Sequence, residues 1–302
     1  MKNFILKLLL FIGLVIVADY AIGSLFYVYK YVKGGTIGKT HQVMTKIEPD
    51  ILIMGSSRAS HHYNSDIISK KFGIEAYNAG FDGQGTLMAY GLLNGVRNRH
   101  NPKIILYELT PLFDIYKDSK SSDINILSPY SSKFGLDELF NDIDKTNKYK
   151  MLSKSYQYNS VIFRIIPNLI SDRTHSIKGF EPLNGSLNSF PTIENKKTHQ
   201  ALETDTIKLK YFNQIIKDAK DSGCKLFFLI SPSLNNHNIE NYNVQLEIAY
   251  KNNIKVFNHL QDTTFINHPE LFQDAVHMNE KGTNRYSEII AEEILEYLQK
   301  NQ

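Results

Sequence analysis

The sequence predicts an α/β fold: a three-layer α/β/α sandwich with a mostly parallel sheet, preceded by one N-terminal transmembrane helix. Three observations carry this reading. Apolar runs of strand length alternate with helical patterns on both sides of a long polar stretch. Each run stops abruptly at Gly, Ser or Pro, as buried parallel strands do. A long apolar segment with a single charge opens the chain. With 302 residues, 42% hydrophobic and 22% charged, the chain can bury a full core and is too balanced to be disordered, collagen-like or a coiled coil. A net charge of +3 with no concentrated basic stripe argues against a nucleic-acid partner. The lone Cys224 excludes an internal disulfide and any Cys-rich zinc or iron–sulfur site, and does not fix the redox compartment.

The opening segment runs from Leu8 to Tyr29 with one charge, Asp19. As a helix it spans about 33 Å, close to a bilayer core of roughly 30 Å. Lys2 and Lys7 precede it, Lys30 and Lys33 follow, and Tyr20, Tyr27, Tyr29 and Tyr31 cluster near its outer end. Ala18-Asp19-Tyr20-Ala21 is a poor cleavage site, so residues 1–33 read as an uncleaved signal anchor rather than a removable signal peptide. Lysines on both flanks give little positive-inside asymmetry. The short N-terminal tail is placed inside and the large domain on the extracytoplasmic side of the plasma (inner) membrane. Asp19 reads as a helix–helix contact, a proton-handling group, or a polar residue tolerated beside a partner.

Residues 34–48 form a polar linker, and residues 49–302 form the main domain. Asp50 to Met54 is the first strand, closed by Gly55-Ser56-Ser57. Ile67 to Phe72 is helical. Glu75 to Asn78 is a short strand running into a glycine-rich loop, Ala79 to Gly85. Ala89, Leu92, Leu93 and Val96 share one face of the next helix. Lys103 to Leu109 is the third strand, stopped by Pro111. From about 114 to 204 the composition turns to Ser, Asn, Asp and Lys, with helical patches near Leu136–Ile143 and Asn159–Leu169. This stretch is expected to be an insertion or cap over the core. Alternation then resumes: a helix carrying Leu209, Phe212, Ile216 and Ala219, a strand Lys225–Ile230, a helix near Val244–Asn252, a strand Ile254–Phe257, and a terminal helix from about Glu280 to Leu298.

In an open α/β sheet, ligands bind beyond the carboxyl ends of the strands. Those ends carry Gly55-Ser56-Ser57-Arg58, the Asn78–Gly85 loop, Glu108-Leu109-Thr110-Pro111 and Ser231-Pro232-Ser233, with Asp274 and His277 ahead of the last helix. A serine hydroxyl becomes a nucleophile when a base takes its proton, and a histidine oriented by a carboxylate is such a base. The oxyanion that forms needs preorganised N–H donors, and glycine lets the backbone come close enough to supply one.

On these residues the chain resembles the SGNH (GDSL-type) hydrolases, whose sandwich is flavodoxin-like. Gly55-Ser56-Ser57-Arg58 is similar to the family's first block, Asn78 with Gly83 to its second, and Asp274 with His277 to its last. Membrane-anchored relatives with a Gly-Ser-Ser motif, the DltD-like group among them, look closer than the secreted lipases. The resemblance implies Ser57 as nucleophile, His277 as base, Asp274 as its orienting acid, and the backbone N–H groups of Ser57 and Gly83 as the oxyanion site. Asn78 is expected to contact substrate; Arg58 is expected either to contact an anionic substrate group or to form a salt bridge on the surface. The chain departs from the family in holding no asparagine after the third strand, and in Ser56 and Arg58.

The expected activity is therefore a serine esterase or O-acyltransferase. It acts through an acyl-enzyme on acyl esters, O-acetyl foremost, of cell-envelope glycans, with no cofactor and no metal. An acylated envelope glycan is the expected substrate partner, with a membrane-embedded acyl-transfer protein as a further one. The alternative is a catalytically inactive assembly or glycan-binding factor of envelope polysaccharide synthesis that keeps the fold. A lipase or thioesterase would need an apolar acyl tunnel, which the polar insertion does not suggest. His61-His62 lack the spacing of a metal pair. Glu108 reads as a partner for Arg or Lys, and Cys224 as a core residue.

Overall fold

A computed structural model describes residues 1–27, 34–118, 121, 123–159, 161, 176–191, 202–235 and 239–301. The expected helical patch at Asn159–Leu169 lies, apart from residues 159 and 161, outside the described residues, as do Tyr29, Lys30, Tyr31 and Lys33. In chain order the helices and strands are α1 (Lys2–Leu25), α2 (Gly35–Thr45), β1 (Ile51–Gly55), α3 (Ser57–His62), α4 (Ser65–Phe72), β2 (Ala76–Asn78), α5 (Thr86–Arg97) and β3 (Ile104–Glu108). They continue with α6 (Pro111–Asp114), α7 (Asp137–Ile143), α8 (Asn147–Lys150), α9 (Thr206–Asp221), β4 (Lys225–Ile230), α10 (Asn243–Lys251), β5 (Val256–Asn258), α11 (Thr263–Ile266) and α12 (Glu280–Lys300). The chain divides into two compact units: Met1–Met44 with Asp123–Thr174, and Thr45–Ser122 with His175–Gln302.

In the first unit, α1 is the one helix among the described residues long and apolar enough to cross a membrane, with a mean hydropathy of 2.4 over its best window. Its one acidic residue, Asp19, is fully employed within the unit. The carboxylate accepts from Ser153 Oγ at 2.6 Å, from the Lys154 amide at 2.6 Å and the Ser155 amide at 3.1 Å, and from Ser155 Oγ. It thereby caps the turn before the 3-10 segment Tyr156–Tyr158. Gly23, one turn on, permits this approach, since a Cβ there would lie 2.5 Å from Lys154 Cγ. A bond to a turn of the same unit was not among the roles expected for Asp19.

The second unit is the α/β/α sandwich. Its sheet has the order β2-β1-β3-β4-β5 with every neighbouring pair parallel. This is the flavodoxin-type doubly wound order, whose switch point lies between β1 and β3. Alternate strand residues face opposite layers. Ile51, Ile53, Leu106, Phe227 and Leu229 pack with Ile68 of α4 and Tyr286, Ile290 and Ile294 of α12. On the other face, the Tyr107 and Phe228 rings meet Phe212 of α9 at 5.8 and 5.4 Å between centroids. Leu92, Leu93 and Val96 of α5, singled out by helical spacing, are buried.

Local chemistry sets the helix ends. The Asn64 side chain accepts from the Asp66 and Ile67 amides to start α4, which ends on Gly73 in the left-handed region at φ 69°. Asp205 starts α9 and Asn279 starts α12 in the same way. Strand ends agree with the sequence reading to within a residue or two, which is the precision of such boundaries.

One glycine is indispensable to the switch point. Gly55 closes β1 at φ +134°, and a Cβ there would sit 2.6 Å from the Glu108 carbonyl oxygen. Replacement by alanine combines a strained backbone with overpacking. Gly55→Ala is expected to lower unfolding stability by at least about 2 kcal/mol, read by denaturant titration in detergent. An unchanged midpoint would contradict the close approach of β1 and β3.

Candidate active site

The switch point brings together residues far apart in sequence. Ser57 opens α3 directly after β1, and His277 lies in the short loop ahead of α12. His277 Nε2 is 2.8 Å from Ser57 Oγ, and His277 Nδ1 is 2.9 Å from Asp274 Oδ2. The carboxylate accepts the Nδ1 proton, leaving Nε2 as the base that faces the hydroxyl. The loop is preset for this. Asp274 Oδ1 also accepts the Val276 and His277 amides at 2.7 and 2.8 Å, and a bridge between Phe272 and Met278 closes the loop's base. Burial pushes the Asp274 carboxyl up, but the bonds from His277 and these amides outweigh it and hold the group below its ordinary value. Asp274 keeps half its side chain exposed, so hydrogen bonds rather than exclusion of water define its role.

One residue further along the chain on each side, a second and wholly buried set of polar groups runs parallel to the first. Arg58, beside Ser57, pairs with Glu108 at 3.2 Å, with side-chain exposures of 3% and 0%. Its guanidinium also donates to the Leu109 carbonyl at 2.5 Å and to Tyr242 Oη at 2.8 Å. Glu108 accepts from Tyr63 Oη, from the Ser231 amide at 3.1 Å and from Ser231 Oγ at 2.8 Å. Ser231 Oγ lies 2.8 Å from His62 Nδ1, and His62 Nε2 accepts the amide of Met278, the neighbour of His277, at 2.9 Å. Because that amide can only donate, His62 Nδ1 carries the proton and the ring is neutral. Burial, followed by the nearby His277 and Arg58, holds its pKa well below the ordinary value. Burial pulls Arg58 down, but Glu108 raises it further, so it stays a cation. Burial pushes the Glu108 carboxyl up against the opposing pull of Arg58, Tyr63 and Ser231.

Two expectations change here. Arg58 was expected to contact substrate or form a surface salt bridge; its charge is instead spent on Glu108, in the buried core rather than on the surface. Asn78 was expected to contact substrate, but it is fully buried. Its Nδ2 donates to the Ala59 and Tyr63 carbonyls at 2.7 and 2.9 Å, and its Oδ1 accepts the Gly80 amide at 2.9 Å. With both amide protons engaged and no exposed surface, it positions the glycine loop against α3. That loop also hangs from β1, through the Ala79 amide to Ile53 and the Phe81 amide to Gly55. Gly83 sits at its tip at φ +67°, half-buried. After β3, where no asparagine stands, Thr110 lines the cleft beside Ser57.

His61 and His62, weighed in the sequence only as a metal pair, pack edge-on against the His277 ring at 5.7 and 6.2 Å between centroids. The signal available was the offset of four residues from Ser57 to His61 on one helix, which puts His61 one turn along the same side; His62, five residues on, carried no such signal. His61 Nδ1 is 2.7 Å from the Glu181 carbonyl and Nε2 is 3.2 Å from the Asp82 carboxylate. Both partners accept only, which favours the imidazolium. Burial lowers its pKa, but Asp82 and Glu181 raise it further, and the net shift is upward. Cys224 is half-buried, away from the site, with its thiol pushed up to about 12 by burial.

Two predictions follow from this geometry. Removing one partner of a buried ion pair costs about 3–5 kcal/mol, so Glu108→Ala is expected to destabilise by that amount. The double change Arg58→Met with Glu108→Leu should recover most of it in the same denaturant titration. The His61–Asp82 pair gives a pH dependence. A raised folded pKa means that its stabilisation is fully present below the unfolded value of 6.5 and is lost as pH rises through the folded value. The His61 ring is expected to titrate above 6.5 by NMR, and Asp82→Asn to lower its midpoint. A midpoint unaffected by that substitution would show the pair to be absent.

No family model matches the chain, and no curated protein matches it. Among solved structures, a Bacteroides fragilis protein provisionally named an acylhydrolase is similar, with a TM-score of 0.42 at 10% identity over 87% of this chain and 94% of that one. A likeness of that size transfers no chemistry, so the site is read from its own geometry.

Proposed function

We propose that the protein is a serine hydrolase or acyltransferase of SGNH type that acts on ester bonds through an acyl-enzyme. The observation that carries this is the continuous Ser57–His277–Asp274 hydrogen-bond relay at the switch point of the sheet. Ser57 Oγ attacks the ester carbonyl carbon while His277 Nε2 takes the hydroxyl proton, and Asp274 stabilises the imidazolium. The tetrahedral oxyanion is held by the backbone N–H groups of Ser57 and Gly83. Collapse breaks the bond to the alcohol oxygen, which leaves with the proton from His277. Water or a second hydroxyl then attacks the acyl-enzyme, gives its proton to His277, and Ser57 recovers a proton as the new acid or ester departs. No step calls for a metal or an organic cofactor.

Helix α1 supports a membrane anchor, with the hydrolase unit on the extracytoplasmic side. The alcohol portion of the substrate is then a hydroxyl of an envelope glycan, and a membrane-embedded acyl-transfer protein would be a donor partner. Ser57→Ala is expected to abolish labelling by a fluorophosphonate and turnover of p-nitrophenyl esters in membranes. Asp274→Asn is expected to lower kcat on the order of ten-thousand-fold through loss of the correct tautomer. Labelling that survives Ser57→Ala would put the nucleophile elsewhere and overturn the reading; an unsubstituted protein that neither labels nor turns over ester would leave the non-catalytic assembly factor in its place.

A further inference from the structure

The cleft that opens on Ser57 and His277 has a volume of about 400 Å³ and a largely apolar wall. Pro111, Leu112, Phe113, Leu202, Tyr242 and Val276 contribute to it. Leu112 and Leu202 keep 43% and 42% of their surface exposed. Apolar side chains left uncovered beside a reactive group form the wall of a binding site that a ligand completes. The permanent charge on this wall is Arg58, and its guanidinium is already held by Glu108, the Leu109 carbonyl and Tyr242. Among the described residues the wall therefore offers apolar contact and holds no spare cation for a carboxylate or phosphate.

We propose that this cleft binds the acyl part of the ester and selects an uncharged chain of about six to ten carbons over acetyl. The proposal rests on Ser57 being the acylated nucleophile, and it revises the expectation of an O-acetyl substrate. A methylene takes about the room of a water molecule in the liquid, roughly 30 Å³, so an eight-carbon chain fills on the order of 240 Å³. An acetyl group would leave most of the cleft wet. The wall is fixed from behind. Lys208, fully buried, donates to the Leu112 and Tyr116 carbonyls at 3.3 and 2.6 Å and pairs with Asp118. Asp114 accepts the Thr110 amide at 2.6 Å and Gln245 Nε2 at 3.0 Å. The Thr110–Phe113 turn is thus held in place before any ligand arrives, and a preformed apolar slot binds without an ordering cost.

The test is a series of p-nitrophenyl esters from acetyl to dodecanoyl, with the full-length protein in detergent. The readout is the burst or steady-state release of p-nitrophenol, relative to the hydroxide rate of each ester. Burial can contribute up to about fourfold per methylene. Octanoyl is expected to exceed acetyl at least tenfold in kcat/KM, with a decline beyond about ten carbons. Leu112→Asp places a charge on an already exposed position and is expected to cut the octanoyl-to-acetyl ratio at least tenfold. As a second measurement, an octyl fluorophosphonate should label Ser57 at least tenfold faster than an ethyl one. If Ser57 is labelled and the acetyl ester turns over as fast as octanoyl, the acyl-cleft assignment is overturned while the serine-nucleophile reading stands. If no ester is turned over and no phosphonate labels Ser57, both are overturned.

Discussion

Two charges, Arg58 and Glu108, are withdrawn from water beneath the rim of the sheet, and the site is arranged around keeping them satisfied. A buried ion pair holds its place only when the remaining donors and acceptors are also matched. Here the matching groups come from every element that forms the rim: Leu109 after β3, Ser231 after β4, Tyr63 after α3 and Tyr242 ahead of α10. Through Ser231 and His62 the network reaches the Met278 amide. The residues next to Ser57 and next to His277 are therefore tied to the same carboxylate. The distance from Ser57 to His277 is set by this buried set, although neither residue belongs to it.

The division of labour follows from solvent. Ser57 and His277 line the open cleft, and Asp274, half exposed, is oriented by backbone amides instead of burial. The parallel network is sealed over most of its length and reaches the cleft only through Arg58 and Tyr242. Sealing makes each of its bonds electrostatically stronger and each loss more costly. The rigid frame and the reactive groups thus sit on adjacent residues without sharing the same environment. The apolar wall of the cleft continues this arrangement, since its carbonyls and amides are held by Lys208 and Asp114 from inside.

The N-terminal unit shows the same economy with polar groups. A carboxylate in an apolar helix is costly unless donors surround it. Asp19 meets that condition with two serine hydroxyls and two amides from the 153–155 turn. The charge that interrupts the apolar segment is the point at which a distant part of the chain is fastened to it.

Much of the fold was legible in the residues themselves. Bounded apolar runs and helix-spaced leucines depend on local physics, and so the strands, α5, α9 and α12 could be located. The order of Ser57, Asp274 and His277 relative to those elements placed them at one rim, because a doubly wound parallel sheet leaves few other possibilities. The polar stretch from 114 to 204 resisted reading because its order depends on distant partners such as Asp19 and Lys208, which leave no periodic trace. The roles of Arg58, Asn78, His61 and His62 were hidden for the same reason. A side chain's type shows which bonds it can make, and only the folded neighbourhood shows which are already taken. The sequence by itself determined the strand and helix pattern, the long apolar N-terminal helix and the chemical kinds available at the rim, since these follow from short-range periodicity and composition. The tertiary structure alone decided that Arg58 is neutralised by Glu108, that Asn78 braces a loop, and that the cleft wall is apolar, because burial and pairing are properties of contacts between segments remote along the chain.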